Sequence, residues 1–456
     1  MRKLLLTLLL TLMAPVLLAQ NYNNEWIDYS KTYYKLRIKE DGLFRIPFNT
    51  LSQAGAGNLS GSGFKMYYKG EEVPIYVSTN GSLNSNDYVE FYGEKNDGEL
   101  DSDLFLFDSH QLTDETSLFT DSISYFLVWQ SGGNAKRYAD ATNNTSNPPA
   151  KEQYFIHTEN KIHKNIFYVG EPERIAGVNY NFADFEKGEG FVSSILLGQT
   201  TKTYNMNTPA LFTGSGAPPA SLETKVVGQN NDFFNFKDHH MRVRVDGTTY
   251  VDEIYEGHDT PTYNSTILSS DITSPRTKVV YESVGDIFSN PSEDWQSVSY
   301  TKISYPRSFN FSEYKSGNLI PSKEFYFELN DNRDSYIEIT SFSGGTAPVI
   351  YDLTNNKRYI PTVQSGVYKV RLQAGANVNI KRKLFIANTD NSAISTISSL
   401  TKTNFTNYQS IANQGDYVMI SHPSLRTGTT DWVQLYANYR ESSTGGSYNV
   451  VLADIE

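Results

Sequence analysis

The residues placed best to do chemistry lie near the end of this sequence. Ser421 and His422 close one short apolar run, and Asp454 closes a second one. In open α/β sheets, reactive groups gather at the carboxyl ends of the strands, so these positions mark where a site could be built. His422 could act there as a catalytic base. We favour a simpler interpretation, a polar residue that turns out of the strand before Pro423, because no nucleophile lies nearby.

The segment between the two runs predicts the helix that must hold them in place. Its apolar residues recur at helical spacing and form one face: Trp432, Leu435, Tyr436 and Tyr439. Thr429 or Thr430 can cap the first turn, and the pair Gly445-Gly446 ends the helix. Strand, helix and strand then form a β-α-β unit whose two strands run parallel. One helix cannot cover both sheet faces, so the unit needs further strands and helices around it.

Three other histidines invite a metal-binding interpretation: His239, His240 and His258. Adjacent residues of a strand point to opposite faces, so one cation cannot easily use both His239 and His240. We therefore interpret these histidines as exposed polar residues.

The acidic run from Gly93 to Asp103 raises the question of calcium. Asp97, Asp101 and Asp103 could hold Ca²⁺ through oxygen ligands, but their spacing is not that of an EF-hand loop and the distal Glu is lacking. We prefer a solvated turn, with calcium as the alternative, and predict no other cofactor.

A glycosidase would need two carboxyl groups on opposite sides of a cleft. The candidates are Glu324, Glu328, Asp331 and Asp334. Surface charge on alternating strands explains them better, because nothing in the sequence places them across a cleft. We therefore assign no catalytic, cofactor-binding or metal-binding residue in this chain.

Composition indicates an exported protein without disulfides. Met1-Arg-Lys3 and the apolar run up to Ala19 have the two regions of a secretory signal, with cleavage expected near Ala19. The sequence contains no Cys, which excludes disulfides, thiolate metal sites and a cysteine nucleophile within it. A net charge of -12 argues against a nucleic-acid or anionic-membrane partner. After signal cleavage, we expect no transmembrane segment, because no second long apolar run occurs.

Most of the remaining chain predicts β structure. Tyr34 to Ile38 and Phe44 to Phe48 alternate in hydrophobicity around the turn Glu40-Asp41-Gly42, which predicts a hairpin. Met241 to Val245 alternate in the same way before the turn Asp246-Gly247. We predict a mainly β chain of tandem β-sandwich-like domains, followed by the first β-α-β unit of an α/β domain.

The predicted domain boundaries follow from these patterns and from the polar linkers between them. They are a signal peptide at 1–19, an N-terminal β domain at 20–115, a β-sandwich region with long loops at 116–310, a small Ig-like β-sandwich at 311–398, and a linker with the incomplete start of the α/β domain at 399–456.

Several segments, in this order, resemble the N-terminal region of gingipain-type cysteine peptidases, especially the large ones similar to the sortase of type IX secretion. The segments are Glu25-Trp-Ile-Asp-Tyr29, Asp41-Gly-Leu-Phe-Arg-Ile-Pro47, Leu51-Ser-Gln-Ala-Gly55, Gly70-Glu-Glu-Val-Pro-Ile-Tyr76, Asp87-Tyr-Val-Glu-Phe-Tyr-Gly93, Asn96-Asp-Gly98, Ser124-Tyr-Phe-Leu-Val-Trp129, Gly188-Glu-Gly190, Val298 to Arg307 and Tyr351-Asp-Leu-Thr354. The range 416–456 resembles the opening of the family's caspase-like or gingipain-like peptidase domain. Taken one at a time, these segments are strand and turn signatures.

The resemblance implies an exported, non-catalytic β region of a peptidase that processes secreted proteins, with the chain cut soon after its peptidase domain begins. The family's catalytic residues are a His and a Cys of that domain, and neither can be assigned here. We therefore expect no peptidase activity from this chain, although a longer parent resembles a cysteine-type endopeptidase. Expected partners are protein substrates or secretion-system components, in the periplasm, at the outer-membrane surface or outside the cell. The alternative is a secreted carbohydrate-binding or protein-binding β-sandwich module of adhesin type, in which some of the abundant Tyr and Phe are exposed platforms.

Overall fold

The structure is a computed structural model that describes residues 24–132, 134–181, 184–232, 236–345, 348–390 and 393–455. The predicted signal peptide at 1–19 lies outside these ranges. The described residues fall into two compact units, which we call the tail unit (24–34, 69–71 and 401–455) and the main unit (35–68 and 72–400). No helix in the described ranges has the length and apolar character needed to span a lipid bilayer.

Short strands make up most of the described chain. Those before residue 142 are β1 (Tyr33–Ile38), β2 (Gly42–Pro47), β3 (Phe64–Tyr68), β4 (Glu71–Val73), β5 (Tyr76–Val77), β6 (Tyr88–Gly93), β7 (Ile123–Trp129) and β8 (Ala139–Ala141). The next are β9 (Phe155–Ile162), β10 (Ile166–Tyr168), β11 (Glu173–Ile175), β12 (Val178–Tyr180), β13 (Gly190–Val192), β14 (Leu196–Leu197), β15 (Thr200–Asn207), β16 (Ala220–Gly228), β17 (His239–Val245), β18 (Thr248–Tyr255), β19 (Thr262–Ile267), β20 (Arg276–Ser283) and β21 (Trp295–Arg307).

The strands after residue 310 complete the chain. They are β22 (Ser312–Lys315), β23 (Asn318–Pro321), β24 (Glu324–Leu329), β25 (Ser335–Ile339), β26 (Val349–Asp352), β27 (Lys357–Tyr359), β28 (Thr362–Gln364), β29 (Val367–Leu372), β30 (Arg382–Ala387), β31 (Ser395–Thr396), β32 (Thr401–Thr403), β33 (Tyr417–Ser421) and β34 (Val450–Asp454). The α-helices of the described ranges are α1 (Phe48–Gln53) and α2 (Trp432–Glu441). The prediction of a mainly β chain with several β-rich domains is confirmed.

The first strands of the main unit belong to two different sheets. β1, β7, β3 and β4 are neighbours in one sheet, and β31, β2, β6 and β5 are neighbours in the other. The predicted hairpin of β1 with β2 is therefore wrong. The turn after Ile38 carries the chain from one sheet to the other, because β2 finds its antiparallel partner in β6. Rings meet between the sheets, where Phe91 of β6 lies 5.5 Å from Tyr125 of β7.

The middle of the main unit is a larger sandwich. One sheet runs β14, β21, β16 and β19, with β9 also paired to β21, and the other runs β15, β20, β17 and β18. The predicted hairpin at the Asp246-Gly247 turn is confirmed, since β17 pairs with β18 and both turn residues have positive φ. Inward residues of both sheets form one core that includes Met241, Val243 and Val245. Alternation along each strand therefore decides which side chains are buried.

A second sandwich follows, as the strand spacing predicts. Its sheets are β24, β30, β26, β27 and β8, and β25, β29 and β28, with a Phe-rich core between them. The turn Asp331–Asp334 carries the chain from one sheet to the other, between β24 and β25. β8 comes from far earlier in the chain and lies parallel to β27. The predicted domain boundaries stay predictions.

The tail unit contains the predicted β-α-β arrangement. β33 and β34 pair in parallel, from Tyr417 opposite Val450 to Ser421 opposite Asp454. The predicted caps Thr429 and Thr430 are wrong, because Asp431 caps α2 by accepting a hydrogen bond from the Gln434 N–H at 2.8 Å. A carboxylate at this position also suits the positive end of the helix dipole.

The apolar face predicted for α2 does not cover the sheet. Trp432 is 72% exposed, whereas Ala437 on another side of the helix is 2% exposed. Arg440 stands over the rings of Tyr417 and Tyr448, each at 4.6 Å. The helical pattern predicted that large apolar side chains would make the buried contacts of α2. In the structure, Ala437 is buried instead, and Arg440 stacks on two tyrosines.

Candidate functional site

The two strand ends that the sequence singles out do meet. Ser421 and Asp454 are opposite one another in the parallel pair, and the Ile455 N–H donates to the Ser421 carbonyl at 3.3 Å. The Ser421 side chain is buried, and its hydroxyl donates to the His422 carbonyl at 3.4 Å. This hydroxyl is therefore directed to the backbone rather than to an imidazole.

His422 caps the short turn that follows β33. Its Nδ1 accepts hydrogen bonds from the Ser424 N–H at 3.1 Å and from the Ser424 hydroxyl at 2.7 Å. In neutral histidine one nitrogen carries the proton, so these donors place the lone pair on Nδ1 and the proton on Nε2. The nitrogen that could accept a proton from a substrate is already occupied. The geometry gives His422 a capping role.

Asp454 is part of a surface ion-pair network. Arg426 contacts Asp454 through Nη1 at 3.1 Å and Asp431 through Nε at 3.1 Å. The carboxylate thus helps to fix the turn between β33 and α2. Water screens an exposed ion pair of this kind, so its contribution to stability is small.

A cavity of about 750 Å³ lies beside the end of β34, within the tail unit. Three segments line it: 24–29, 403–414 and 452–454. Its wall contains the ring of Phe405, which is 5.4 Å from the Trp26 ring and 5.1 Å from the Tyr33 ring, both edge-to-face. This volume lies within the range of about 300–1,000 Å³ that is typical of ligand sites.

The lining of this cavity is suited to binding rather than to catalysis. Amides, hydroxyls and aromatic rings dominate it, and among its described lining residues Asp454 is the one carboxylate. Such groups hydrogen-bond and stack, but they provide no activated nucleophile. Sequence reasoning found Asp454 and missed the other two segments, because no periodicity or motif brings residues 24–29 next to 403–414. Glu25-Trp-Ile-Asp-Tyr29 was an available signal, as a segment of the family resemblance.

The histidines at 239 and 240 point to opposite faces of β17, as predicted, but His239 is buried rather than exposed. His239 Nδ1 lies 2.7 Å from Asp294, and Nε2 lies 3.0 Å from the Asn230 carbonyl. Burial alone would lower the pKa of His239, but the hydrogen bond to Asp294 and the charges of Asp238 and Asp294 outweigh it and raise the pKa. This histidine belongs to a buried polar network rather than to an open site.

The other two histidines are held by separate partners. His240 contacts Asp252 at 2.8 Å and Asp286 at 2.9 Å, and His258 Nδ1 lies 2.7 Å from the Tyr168 hydroxyl. Within the ranges that the structure describes, no group of three or more His, Asp or Glu side chains could hold a metal ion.

The acidic run at 93–103 folds into a short 3₁₀ segment. Asp101 is buried and accepts hydrogen bonds from the Leu118 N–H at 2.7 Å and the Ser117 hydroxyl at 3.2 Å. Asp97 accepts from the Glu99 N–H at 3.2 Å. Asp101 therefore ties this segment to residues 117–118 and is buried rather than solvated. Calcium binding by Asp97, Asp101 and Asp103 stays the alternative to the turn interpretation.

The carboxylates considered for a glycosidase have separate partners. Glu328 accepts from the Tyr326 hydroxyl at 2.7 Å, and Asp334 accepts from Arg371 at 3.0 and 2.7 Å. Asp331 pairs with Arg333. Glu324 begins β24 at an exposed position, and partial loss of water around its carboxyl group raises the pKa of that group. The geometry thus agrees with surface charge on strands and turns.

No family model and no curated protein matches the chain. Among solved structures, the chain is similar to dimeric latent PorU from Porphyromonas gingivalis, with a TM-score of 0.55 and 11% identity over 93% of this chain and 37% of that chain. It is also similar, at a TM-score of 0.19, to the CBM36-1 domain of a multidomain xylanase from the hindgut metagenome of Trinervitermes trinervoides, with 12% identity over 32% of this chain and 95% of that one. A β-porphyranase of glycoside hydrolase family 86 from Bacteroides plebeius gives a TM-score of 0.19 and 11% identity over 61% of this chain and 35% of that chain. The similarity to PorU shows a shared fold, and the chain spans 37% of the length of that protein.

Proposed function

We propose that this chain is the exported β-rich N-terminal region of a gingipain-like cysteine peptidase linked to type IX secretion. In this proposal, the β-sandwiches form a non-catalytic scaffold, and β33, α2 and β34 begin the peptidase domain. The catalytic His and Cys belong to a further part of a longer protein.

The observation that carries the proposal is the uncovered apolar surface of the β-α-β unit. Val418 and Ile420 alternate on one side of β33 and are 63% and 69% exposed, and Trp432 on α2 is exposed as well. Parallel sheets are normally covered on both faces. Burying one such side chain contributes about 1.5 to 3 kcal/mol, so leaving several exposed is unfavourable. Further α/β elements of a peptidase domain would cover these faces.

Two other observations support the proposal. The fold is similar to that of PorU over 93% of the chain. The segments that resemble gingipain-type peptidases follow one another in the family's order along the same stretch. Together they support a PorU-like arrangement in which the β region precedes a peptidase domain.

Export and partners follow from the same proposal. Arg2, Lys3 and the apolar run up to Ala19 would direct the chain out of the cytoplasm. This signal segment would then be cleaved off during export. The resemblance to gingipain-type peptidases implies protein substrates or secretion-system components as partners, and the net charge of -12 argues against nucleic acid. The site of action would be the periplasm, the outer-membrane surface or the outside of the cell.

The decisive experiment compares this 456-residue chain with a version extended by the downstream coding sequence. Both are assayed against a mixed peptide library, with and without a thiol-alkylating reagent. We expect turnover only from the extended version, and only without the reagent, because the thiolate that attacks a peptide carbonyl is absent from this chain. Turnover by the 456-residue chain after alkylation would contradict the proposal.

The downstream coding sequence and the peptidase assay also distinguish the proposed peptidase region from the alternative, a secreted binding module. If the coding sequence ends at Glu456 and the protein binds a glycan or protein without hydrolysing peptides, the chain is an exported binding module instead.

A further inference from the structure

Arg307 is a buried cation that ends β21 in the main unit. Its side chain is 2% exposed. Nε and Nη2 donate to the Asn310 carbonyl at 3.3 and 3.2 Å, and Nη2 also donates to the Ser312 carbonyl at 2.5 Å. The guanidinium lies 4.6 Å from the centre of the Phe325 ring. These contacts orient the guanidinium, but all of its hydrogen-bond acceptors are neutral.

A second buried arginine of the main unit, Arg382, has a carboxylate partner and serves as a comparison. Arg382 is fully buried and contacts Asp352 through Nε at 3.0 Å and Nη2 at 2.5 Å. Among the described residues, Arg307 has no carboxylate within 4.0 Å. A buried charge without a close counter-charge is unfavourable by several kcal/mol. Arg307 therefore lacks the partner that Arg382 has.

Arg307 lines a cavity of about 330 Å³. The other polar groups around this cavity are His157, Glu159, Asn207, Glu313, Tyr314 and Lys315. Its volume is at the lower end of the range of roughly 300–1,000 Å³ for small-molecule sites. The space next to the unpaired guanidinium could therefore hold a small ligand.

The two carboxylates of the cavity are engaged elsewhere. Glu313 accepts from the Ser322 hydroxyl at 2.7 Å and pairs with Lys315. Glu159 accepts from the Asn207 N–H at 3.3 Å, and burial raises its pKa. Both groups act on Arg307 from beyond contact distance, so neither replaces a direct partner.

His157 adds an unused hydrogen-bonding group. Burial and the charge of Arg307 lower the pKa of His157 to about 3, so its ring is neutral at physiological pH. Its ring contacts are with aromatic neighbours, Tyr305 at 5.7 Å and Phe325 at 5.5 Å. None of the hydrogen bonds among the described residues uses its nitrogens. A neutral imidazole offers one N–H donor to a ligand oxygen.

We propose that this cavity binds a small monocarboxylate, with the carboxylate on Arg307 and a ring nitrogen of His157 donating to the same ligand. Nε and Nη2 are committed to the Asn310 and Ser312 carbonyls, so the ligand carboxylate would accept from Nη1 and gain from the charge of the guanidinium. A phosphate dianion fits less well, because Glu159 and Glu313 lie in the same cavity and repel added negative charge. A hydroxyl or ammonium group on the ligand would find acceptors in those two carboxylates.

The probes are sodium glycolate, sodium acetate and inorganic phosphate, each matched to sodium chloride at equal ionic strength. Binding to the full chain is measured by the shift of the thermal unfolding midpoint and by calorimetric titration. We expect saturable stabilisation by glycolate and acetate, because a ligand that binds only the folded state raises its stability. Phosphate should give no shift beyond that of chloride.

Variants separate the proposed site from a general salt effect. Arg307→Lys keeps the charge but loses the Nη1 donor and the contacts that orient it, and we expect it to weaken glycolate binding about tenfold. His157→Phe keeps the ring contacts and should weaken binding about threefold through the lost hydrogen bond. Lys381→Gln, at an exposed position outside the cavity, should leave binding unchanged.

The outcomes are distinguishable. Equal binding by wild type, Arg307→Lys and His157→Phe would overturn the proposal, and so would the absence of saturable binding. Tighter binding of phosphate than of glycolate would overturn the assignment to monocarboxylates. If Arg307→Lys fails to fold, His157→Phe decides the question, because Arg307 and its carbonyl partners are intact in that variant.

Discussion

At the scale of single residues, the main unit depends on charges that are buried and closely paired. His239 lies between Asp294 and the Asn230 carbonyl, and Asp294 also accepts from Ser283 and Gln296. Arg382 and Asp352 form a second such pair. The sequence does not reveal either pair, because partners on different strands have no fixed spacing. Alternation does predict that His239 and His240 diverge, but it does not show which of them faces the core.

We predict that His239 makes the stability of the main unit depend on pH. A histidine whose pKa is raised by folding stabilises the folded state fully below its unfolded pKa, roughly 6.5, and this contribution is lost as pH rises through the folded value. The free energy of unfolding should therefore fall over that window. In His239→Gln, this dependence should become weaker, with a remainder from His240, whose pKa is also raised, against the effect of burial, by Asp286 and Asp252. Stability should drop by about 2 to 4 kcal/mol. Chemical denaturation at a series of pH values measures both effects.

The control for this prediction is His110→Gln, which removes a histidine outside the network. A pH dependence that persists unchanged in His239→Gln would assign it to other groups.

We further predict that Asp352 and Arg382 are strongly coupled. Asp352→Asn leaves the Arg382 guanidinium buried without its counter-charge, which should cost about 3 to 5 kcal/mol. The double variant Asp352→Asn/Arg382→Met should lose less than the sum of the two single variants. Urea denaturation of the four proteins in the cycle gives the coupling.

The surface pair of Arg371 with Asp334 is the matched control for that cycle. Removing it with Arg371→Met should cost much less than Asp352→Asn, because water already screens both charges. Additive losses in the Asp352 and Arg382 cycle would refute the coupling.

At the scale of elements, local patterns predict strands and turns better than they predict partners. The Asp246-Gly247 hairpin could be predicted because an Asp-Gly pair, which tolerates positive φ, follows an alternating segment. The predicted pairing of β1 with β2 was wrong because a turn signal does not specify which sheet the next strand joins. A helix was correctly predicted between β33 and β34. A hydrophobic pattern does not show, however, whether the apolar face of this helix covers the β33 and β34 sheet or packs on another element.

The two sides of α2 should therefore respond differently to substitution. Leu435→Ser removes an exposed side chain and should change helix stability by less than about 0.5 kcal/mol in this chain. Ala437→Leu inserts bulk where the helix is buried and should cost about 1 to 3 kcal/mol. Hydrogen exchange of residues 432–441 reports both changes.

The extended version of the protein adds a sharper comparison. If further α/β elements cover α2 there, Leu435→Ser should cost about 2 kcal/mol in that version. An equally small effect in both versions would contradict the proposal that this face becomes buried.

At the scale of the whole molecule, most of the fold could be predicted and most of the candidate site could not. The β class, the sandwiches and the β-α-β unit follow from the periods of the sequence, since these determine which faces are apolar. The cavity in the tail unit is formed by segments that are far apart in the chain. The cavity at Arg307 stands out because this buried cation has no carboxylate close to it among the described residues. Hydrophobic periodicity and motif spacing predict neither feature.

We predict that a Tyr22–Leu400 fragment folds on its own into β structure with little helix. The cores of both large sandwiches lie within it. Circular dichroism and a cooperative thermal transition are the measurements. A disordered or helix-dominated spectrum would contradict the prediction.

The short strand β31 joins the beginning of the main unit to its end. Phe44 and Arg45 of β2 pair in parallel with Ser395 and Thr396, and the Thr50 hydroxyl donates to the Ile397 carbonyl at 2.9 Å. Contacts between residues so distant in sequence form slowly, because a long loop must close first. If the chain is exported as we propose, the edge of β2 stays open until almost the whole main unit has crossed the membrane. A protease or a chaperone outside the cytoplasm would then have its best access to the chain during that interval.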